Sequence, residues 1–360
     1  MAIQQRFDFL IQWHLTERCN LRCSHCYQTG NAGPELSFDE VREGLDEIAV
    51  MFDAWTDAYS LSLFPSFNIT GGEPLLRDDL FEVLGEIRKR GYPAFLLTNG
   101  TLVDRRKACM LREAGLQGVQ VSIEGCEEVH DGIRGAGSFD RAIDGVEHLL
   151  DAGIEVTLNV TLSRLNAGAM KKLVRLASHL GVQRLGFSRL VPAGRGSGLV
   201  TQMLPAGEVK ELYTSLFALD IASLEIVTGD PVAAQMRAEA GRGRAKKKRQ
   251  GKAPKGIPAG GCSAGVAGLT LLADGTIVPC RRMPIPLGNL RTDPLREVWA
   301  SSPVLEALRD RRRYGGRCGA CLRWDECRGC RAIAYAFART RGEDDFLAED
   351  PQCFLDPATE

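Results

Sequence analysis

The placement of twelve cysteines in a chain of 360 residues constrains this protein more than any other feature. Cys19, Cys23 and Cys26 form a C-x3-C-x2-C array directly after the first strand-like run, and seven more lie from Cys262 to Cys353. A disulfide scaffold is the plain explanation for many cysteines, but such scaffolds are short and exported. This chain is long, 44% hydrophobic, and opens with MAIQQRFDFLIQWHL, which lacks the basic-then-apolar layout of a signal peptide. Soft thiolates at short spacing point instead to zinc or iron–sulfur clusters. Three thiolates on one loop can hold three irons of a 4Fe–4S cube and leave the fourth for a ligand, whereas structural zinc takes four protein ligands.

Up to about residue 230, strand-like runs alternate with amphipathic helices. The runs end at Leu15, Thr70, Thr98, Ile123, Val160 and Ser188. They are mostly apolar, which predicts a parallel sheet buried on both faces. Ser37-x-x-Glu40 reads as a capping box, followed by Val41, Leu45, Ile48, Ala49 and Phe52 on one helical face. Six βα units predict an α/β partial barrel, (β/α)6, rather than the closed eight-stranded form. From Gly241 to Gly256, GRGRAKKKRQGKAPKG carries eight basic side chains and no apolar period. It reads as a solvated linker or as a landing strip for an acidic peptide or another anion. The predicted division is a barrel over 1–230, a basic flexible linker over 231–261 and a cysteine-rich domain over 262–360. That last region contains LTLLADGTIVPC, a hairpin with Asp274-Gly275 as its turn. The net charge of −1 favours neither nucleic acid nor a membrane surface, and no run is long and apolar enough to span a bilayer. A cytoplasmic location is expected.

The array Cys19, Cys23, Cys26, followed by Tyr27, together with Gly71-Gly72-Glu73-Pro74 at the end of the second strand, resembles the radical S-adenosylmethionine (SAM) superfamily. Thr98-Asn99-Gly100, Ser122-Ile123-Glu124-Gly125 and His130 to Gly135 extend the match along later strand ends. The resemblance implies SAM and a 4Fe–4S cluster as cofactors. It places Gly71, Gly72 and the Glu73 carboxylate at the methionine ammonium, Ser122 and Glu124 at the ribose, and Arg134 at the carboxylate. Asn159 would meet the methionine or ribose, and His25 and Leu190 the adenine through backbone. All of these fall at C-terminal strand ends, where parallel α/β folds bind ligands. The implied chemistry is one-electron cleavage of SAM to methionine and a 5′-deoxyadenosyl radical, which abstracts hydrogen from a substrate. A flavodoxin- or ferredoxin-type reductant would supply the electron.

The second cysteine set reads C-x12-G-x4-C, then C-x2-C-x5-C-x2-C, then C. It resembles the SPASM domain, which binds two auxiliary clusters, here expected as 4Fe–4S; a four-ligand zinc ribbon would leave three cysteines unexplained. By that resemblance Cys318, Cys321, Cys327 and Cys353 hold the distal cluster, and Cys262, Cys280 and Cys330 the proximal one. The proximal set is one cysteine short. Its fourth iron is open, takes a non-cysteine ligand, or the cluster is 2Fe–2S. Cys109 reads as a small core residue. Cys126, at the predicted barrel mouth, is the candidate catalytic residue, as a proton or hydrogen-atom donor. His14 reads as a packed strand residue. Val191 to Gly198, VPAGRGSG, is a loop in which Arg195 could cradle a carboxylate or phosphate.

Relatives with SPASM domains mostly modify peptides. The leading expectation is therefore maturation of a ribosomally made precursor peptide, by thioether formation or related oxidation at cysteine, since an open iron favours a thiol substrate. Little chain precedes Phe9, so a separate leader-binding protein or the basic linker would recognise the peptide. The alternatives are tailoring of a tetrapyrrole in an alternative haem pathway, formylglycine formation of the anaerobic sulfatase-maturase kind, and a non-catalytic electron-transfer protein.

Overall fold

The first two apolar runs form β1 (Gln5–His14) and β2 (Leu61–Thr70), which pair in parallel along their whole length. The structure, a computed structural model, describes residues 5–28, 33–59, 61–219, 221, 223–241, 258 and 260–356. Helix α1 (Phe38–Tyr59) crosses between the two strands. Its start is set by a reciprocal cap: Ser37 N donates to Glu40 Oε2 at 2.7 Å and Glu40 N donates to Ser37 Oγ at 3.3 Å. Val41, Leu45, Ile48, Met51 and Phe52 are buried on the face toward the sheet.

The unit repeats as α2 (Leu80–Lys89) and β3 (Ala94–Thr98), then α3 (Arg105–Glu113) and β4 (Gly118–Ser122). Next come α4 (Glu127–Arg134), α5 (Ser138–Asp151) and β5 (Val156–Leu162), then α6 (Met170–Leu180) and β6 (Arg184–Arg189). A further unit, α7 (Ala206–Phe217) and β7 (Glu225–Val227), extends the parallel run beyond the six strands expected. Helix α8 (Pro231–Gly241) follows. It occupies the start of the segment read as linker, because Val232 and Ala233 are apolar and fully buried and Gln235 Nε2 donates to Glu326 O at 2.8 Å. The strongly basic residues 242–257 lie outside the described residues.

The C-terminal region adds β8 (Gly268–Leu271), β9 (Thr276–Val278), β10 (Gly288–Asn289), α9 (Leu295–Ser301), α10 (Pro303–Arg309), α11 (Gly316–Ala320) and α12 (Arg331–Thr340). The hairpin β8–β9 turns at Asp274-Gly275, where Gly275 has φ 85°. The hairpin is not separate from the barrel. β8 pairs in parallel with β1, giving one ten-stranded sheet in the order β10-β9-β8-β1-β2-β3-β4-β5-β6-β7. This join needs a glycine: a Cβ on Gly268 would lie 2.6 Å from Leu10 O.

The expectation of strands apolar on both faces is corrected. In β5, Val156, Leu158, Val160 and Leu162 are fully buried on the outer, helix-packed face, while Thr157, Asn159 and Thr161 alternate with them. In β4, Val119 and Val121 alternate with Gln120 and Ser122 in the same way. A partial barrel must leave its inner face polar if that face is to bind ligands.

Candidate active site

The inner face encloses a cavity at the C-terminal ends of the strands. The loop after β1 brings Cys19, Cys23 and Cys26 to one side of it. This loop is held by the end of β2: Gly72 N donates to Thr16 O at 2.7 Å and Glu73 N donates to Arg18 O at 2.8 Å. The two glycines serve this contact, since a Cβ on Gly71 would lie 2.5 Å from Thr16 O and one on Gly72 would come closer still to Arg18 O. Both glycines also line the cavity, with Ser122, Asn159, Arg134 and His25. Ser122 and Asn159 are register partners on adjacent strands.

Two of the carboxylates expected at SAM stand behind the cavity wall. Glu73 is completely buried behind the glycines; Oε1 accepts from Thr98 Oγ1 at 2.7 Å and Leu75 N at 3.2 Å, and Oε2 from Asn99 N at 2.8 Å. Burial pushes its carboxyl pKa up, against those hydrogen bonds. Its geometry is that of a tether for the turns after β2 and β3. Glu124 is also completely buried. Oε1 accepts from Arg134 Nη2 at 2.6 Å and Nε at 3.0 Å, with His25 Nε2 at 3.3 Å, and Oε2 accepts from Thr161 N at 2.8 Å. Burial alone would raise its pKa, but Arg134 and then His25 hold it well below the usual carboxylate range. Glu124 therefore aims Arg134 and His25 at the cavity without lining it.

Leu190 and Cys126 do not line the cavity either. Leu190 packs in a second core cluster, with N–H bonded to Leu162 O at 3.0 Å; its neighbours Arg189 and Val191 face the cavity instead. Cys126 is the N-cap of α4, because the chain leaves the barrel mouth for that helix directly after Gly125. Cys109, read as a core residue, is exposed on α3. His14 is packed as expected, 1% exposed.

Sequence reading missed Gln120, Thr161, Ser188, Arg189, Arg281 and Arg282 in the cavity wall. Gln120 and Thr161 lie two residues from Ser122 and Asn159, so strand alternation could have found them. The arginine pair follows Cys280 and carried no such signal.

All twelve cysteines are free. Cys318, Cys321, Cys327 and Cys353 ring one small cavity beside Trp324. Among the described residues no three His, Cys, Asp or Glu converge to hold a single ion. Four thiols around one cavity can serve as the ligands of an iron–sulfur cluster. Cys330 is buried in the second core cluster, and Cys262 and Cys280 each pack against that cluster. Burial pushes the Cys330 thiol up to about 12 and Cys353 up to about 11, so iron would have to displace their protons. The backbone interleaves the two sets: Cys262 N donates to Cys327 O at 3.2 Å, and Cys330 N donates to Asp350 Oδ2 at 2.9 Å. Arg328, with φ 63°, turns the chain between Cys327 and Cys330 and donates to Cys262 O at 2.6 Å.

Behind the cavity a buried network joins barrel and C-terminal region. Arg189, at the end of β6, donates to both oxygens of Asp230, at 2.5 and 3.0 Å, and to both of Asp350, at 2.9 and 2.8 Å. Tyr213 Oη donates to Asp230 Oδ2 at 2.9 Å.

The family model for the radical SAM superfamily matches residues 13–177, and that for the SPASM iron–sulfur cluster-binding domain matches residues 262–331. The chain is 30% identical to AdoMet-dependent heme synthase of Nitratidesulfovibrio vulgaris, covering 97% of this chain and 92% of that one. It is 32% identical to pre-heme d1 synthase of Dinoroseobacter shibae, covering 97% and 88%, and 30% identical to mycofactocin maturase MftC of Mycobacterium ulcerans, covering 90% and 83%. A solved structure of anSMEcpe with AdoMet and a peptide superposes with a TM-score of 0.70 at 20% identity, over 97% of this chain and 94% of that one.

Proposed function

The chain belongs to the radical SAM superfamily, with a C-terminal SPASM domain, and we propose that it acts on a tetrapyrrole in a haem-type pathway. The observation that carries this reading is likeness along 97% of the chain to AdoMet-dependent heme synthase. This exchanges the leading expectation for one of its alternatives. SAM and iron–sulfur clusters are the cofactors. When bound, they supply a 5′-deoxyadenosyl radical that abstracts hydrogen.

In this reading Cys19, Cys23 and Cys26 hold the SAM-binding cluster. Gly71, Gly72, Ser122 and Asn159 form the wall on which SAM lies. Arg134, oriented by Glu124, meets its carboxylate, and His25 closes the adenine side. Cys318, Cys321, Cys327 and Cys353 hold the distal auxiliary cluster and Cys262, Cys280 and Cys330 the proximal one. The residues present fit SAM, its cluster and the distal cluster: free cysteines rim both cavities, and His25 Nδ1 is buried without a partner. Enclosure of the cavity by the Cys19–Tyr27 loop and the Arg195 loop limits water; Gly196 N donates to Cys26 O at 3.1 Å and Arg195 Nε to Cys23 O at 3.0 Å.

The test is anaerobic reconstitution with SAM, a low-potential reductant and an iron porphyrin bearing propionates. We expect 5′-deoxyadenosine and a changed porphyrin mass. In the combined Cys19→Ala, Cys23→Ala, Cys26→Ala variant, SAM cleavage should be abolished with auxiliary iron retained. An unchanged porphyrin beside abundant 5′-deoxyadenosine would reject the substrate. The second reading, peptide maturation, is favoured by the likeness to MftC and by the three-cysteine proximal set, which leaves an iron position for a thiol. A precursor peptide modified in the same assay would establish it.

A further inference from the structure

The cavity is cationic to an unusual degree. Arg134, Arg189, Arg195, Arg281 and Arg282 line it, and among the described residues no Asp or Glu does. Two of the five are neutralised from behind, Arg134 by Glu124 and Arg189 by Asp230 and Asp350. Among the described residues no carboxylate forms an ion pair with Arg195, Arg281 or Arg282. Arg195 is committed through Nε to Cys23 O, and Arg281 lies over the Tyr27 ring, its Cζ 5.6 Å from the centroid. Arg282 has a buried Nε with no hydrogen-bond partner. A guanidinium N–H held out of water without an acceptor is costly unless an acceptor arrives.

SAM does not neutralise this pair. SAM carries a sulfonium and an ammonium against one carboxylate, so it adds net positive charge. Cys330, Cys280 and Asp230 act on Arg282 electrostatically, yet none of them accepts from its Nε. The buried Nε of Arg282 is open to an acceptor that the substrate carries.

We infer that Arg281 and Arg282 form a carboxylate-binding subsite that holds a substrate side-chain carboxylate between the SAM wall and the proximal cluster. Arg282 supplies the charge and the fork of donors, and Arg281, stacked on Tyr27, sets the entrance. The inference rests on the tetrapyrrole reading for the identity of the ligand: a propionate of the macrocycle is the carboxylate concerned. Holding one propionate fixes which edge of the ring faces the cavity wall, and so which carbon a radical there would reach.

The full chain with its clusters is titrated anaerobically with iron coproporphyrin III, a polycarboxylic porphyrin, and with its fully esterified form, following the Soret band. SAM affinity and iron content are measured on the same samples. Wild-type protein should bind the acid roughly tenfold or more tightly than the ester. Arg282→Gln should weaken the acid by a similar factor and leave the ester unchanged, and Arg282→Lys should recover part of the loss. Arg281→Gln, which keeps Arg282, should give a smaller loss. Equal binding of acid and ester, or an Arg282→Gln protein that binds the acid normally, overturns the subsite alone. So does a loss of SAM affinity or of iron with porphyrin affinity intact, because the arginine then serves SAM or the cluster. If wild-type protein binds neither porphyrin, the tetrapyrrole reading itself falls and the subsite with it.

Discussion

His14 illustrates how one buried side chain ties the site to pH. It is 1% exposed at the end of β1, with Nδ1 3.4 Å from Gln28 Nε2 and Nε2 unpartnered. Burial, with Arg281 second, pushes its pKa down to about 3. The unfolded chain titrates it near 6.5. Between those values the unfolded state binds a proton that the folded state refuses, so stability falls as pH falls below about 6.5, by up to about 1.4 kcal/mol per unit. His14→Gln should flatten the dependence of the thermal midpoint between about pH 7 and about pH 5. Equal slopes in variant and wild type would show that His14 is not the titrating group. The sequence placed His14 on a strand, but its burial and the arginine beside it come from β1 meeting a loop more than 260 residues away.

At the scale of elements, the strand ends matter more than the strands. The end of β2 and the segment after β1 make backbone hydrogen bonds that leave no room for a side chain at Gly72. Gly72→Ala should displace the cysteine loop. The expected result is loss of the iron bound through Cys19, Cys23 and Cys26, with auxiliary iron retained. Gly85→Ala on α2, where an added Cβ meets nothing within 4 Å, is the control and should keep all iron. A Gly72→Ala protein with full iron and normal SAM affinity would refute the argument. The capping box, the β8–β9 turn and the order of the βα units were legible in sequence because each depends on neighbours in the chain. The polar inner face was less legible: residues such as Gln120 and Thr161 look like ordinary strand positions until the sheet curves around them.

At the scale of the whole molecule, the barrel and the cluster-bearing region are one construction. β8 continues the barrel sheet, and Arg291 Nε donates to Glu40 Oε1 at 2.6 Å, tying the second region to the cap of α1. Arg189 is the deepest of these ties. Its guanidinium bridges Asp230 and Asp350, and Asp350 in turn accepts the N–H of Cys330. Removing one member of such a buried set leaves charge without compensation. Arg189→Met should therefore destabilise the protein by about 3–5 kcal/mol in denaturant unfolding and lower auxiliary iron. Arg189→Lys should recover only part, because an ammonium cannot bridge two carboxylates in bidentate fashion. A loss below about 1 kcal/mol in Arg189→Met would show that the network is not a tie between the regions.

The local chain by itself determined the cysteine spacings, the caps and turns, and the repeated βα pattern, and with them the family and its cofactors. These depend on residues close in sequence, and clustered thiols have few chemical uses. Only the tertiary structure decided which polar groups face the cavity and which face away. Glu73 and Glu124 sit in motifs that look like ligand contacts, yet donors from neighbouring strands and helices turn both carboxylates inward. Arg282 sits in no recognised motif, yet the hairpin on β1 carries it to the cavity with a buried N–H left to fill. The balance of charge in a cavity is a sum over elements distant in sequence, and it exists only once they are brought together.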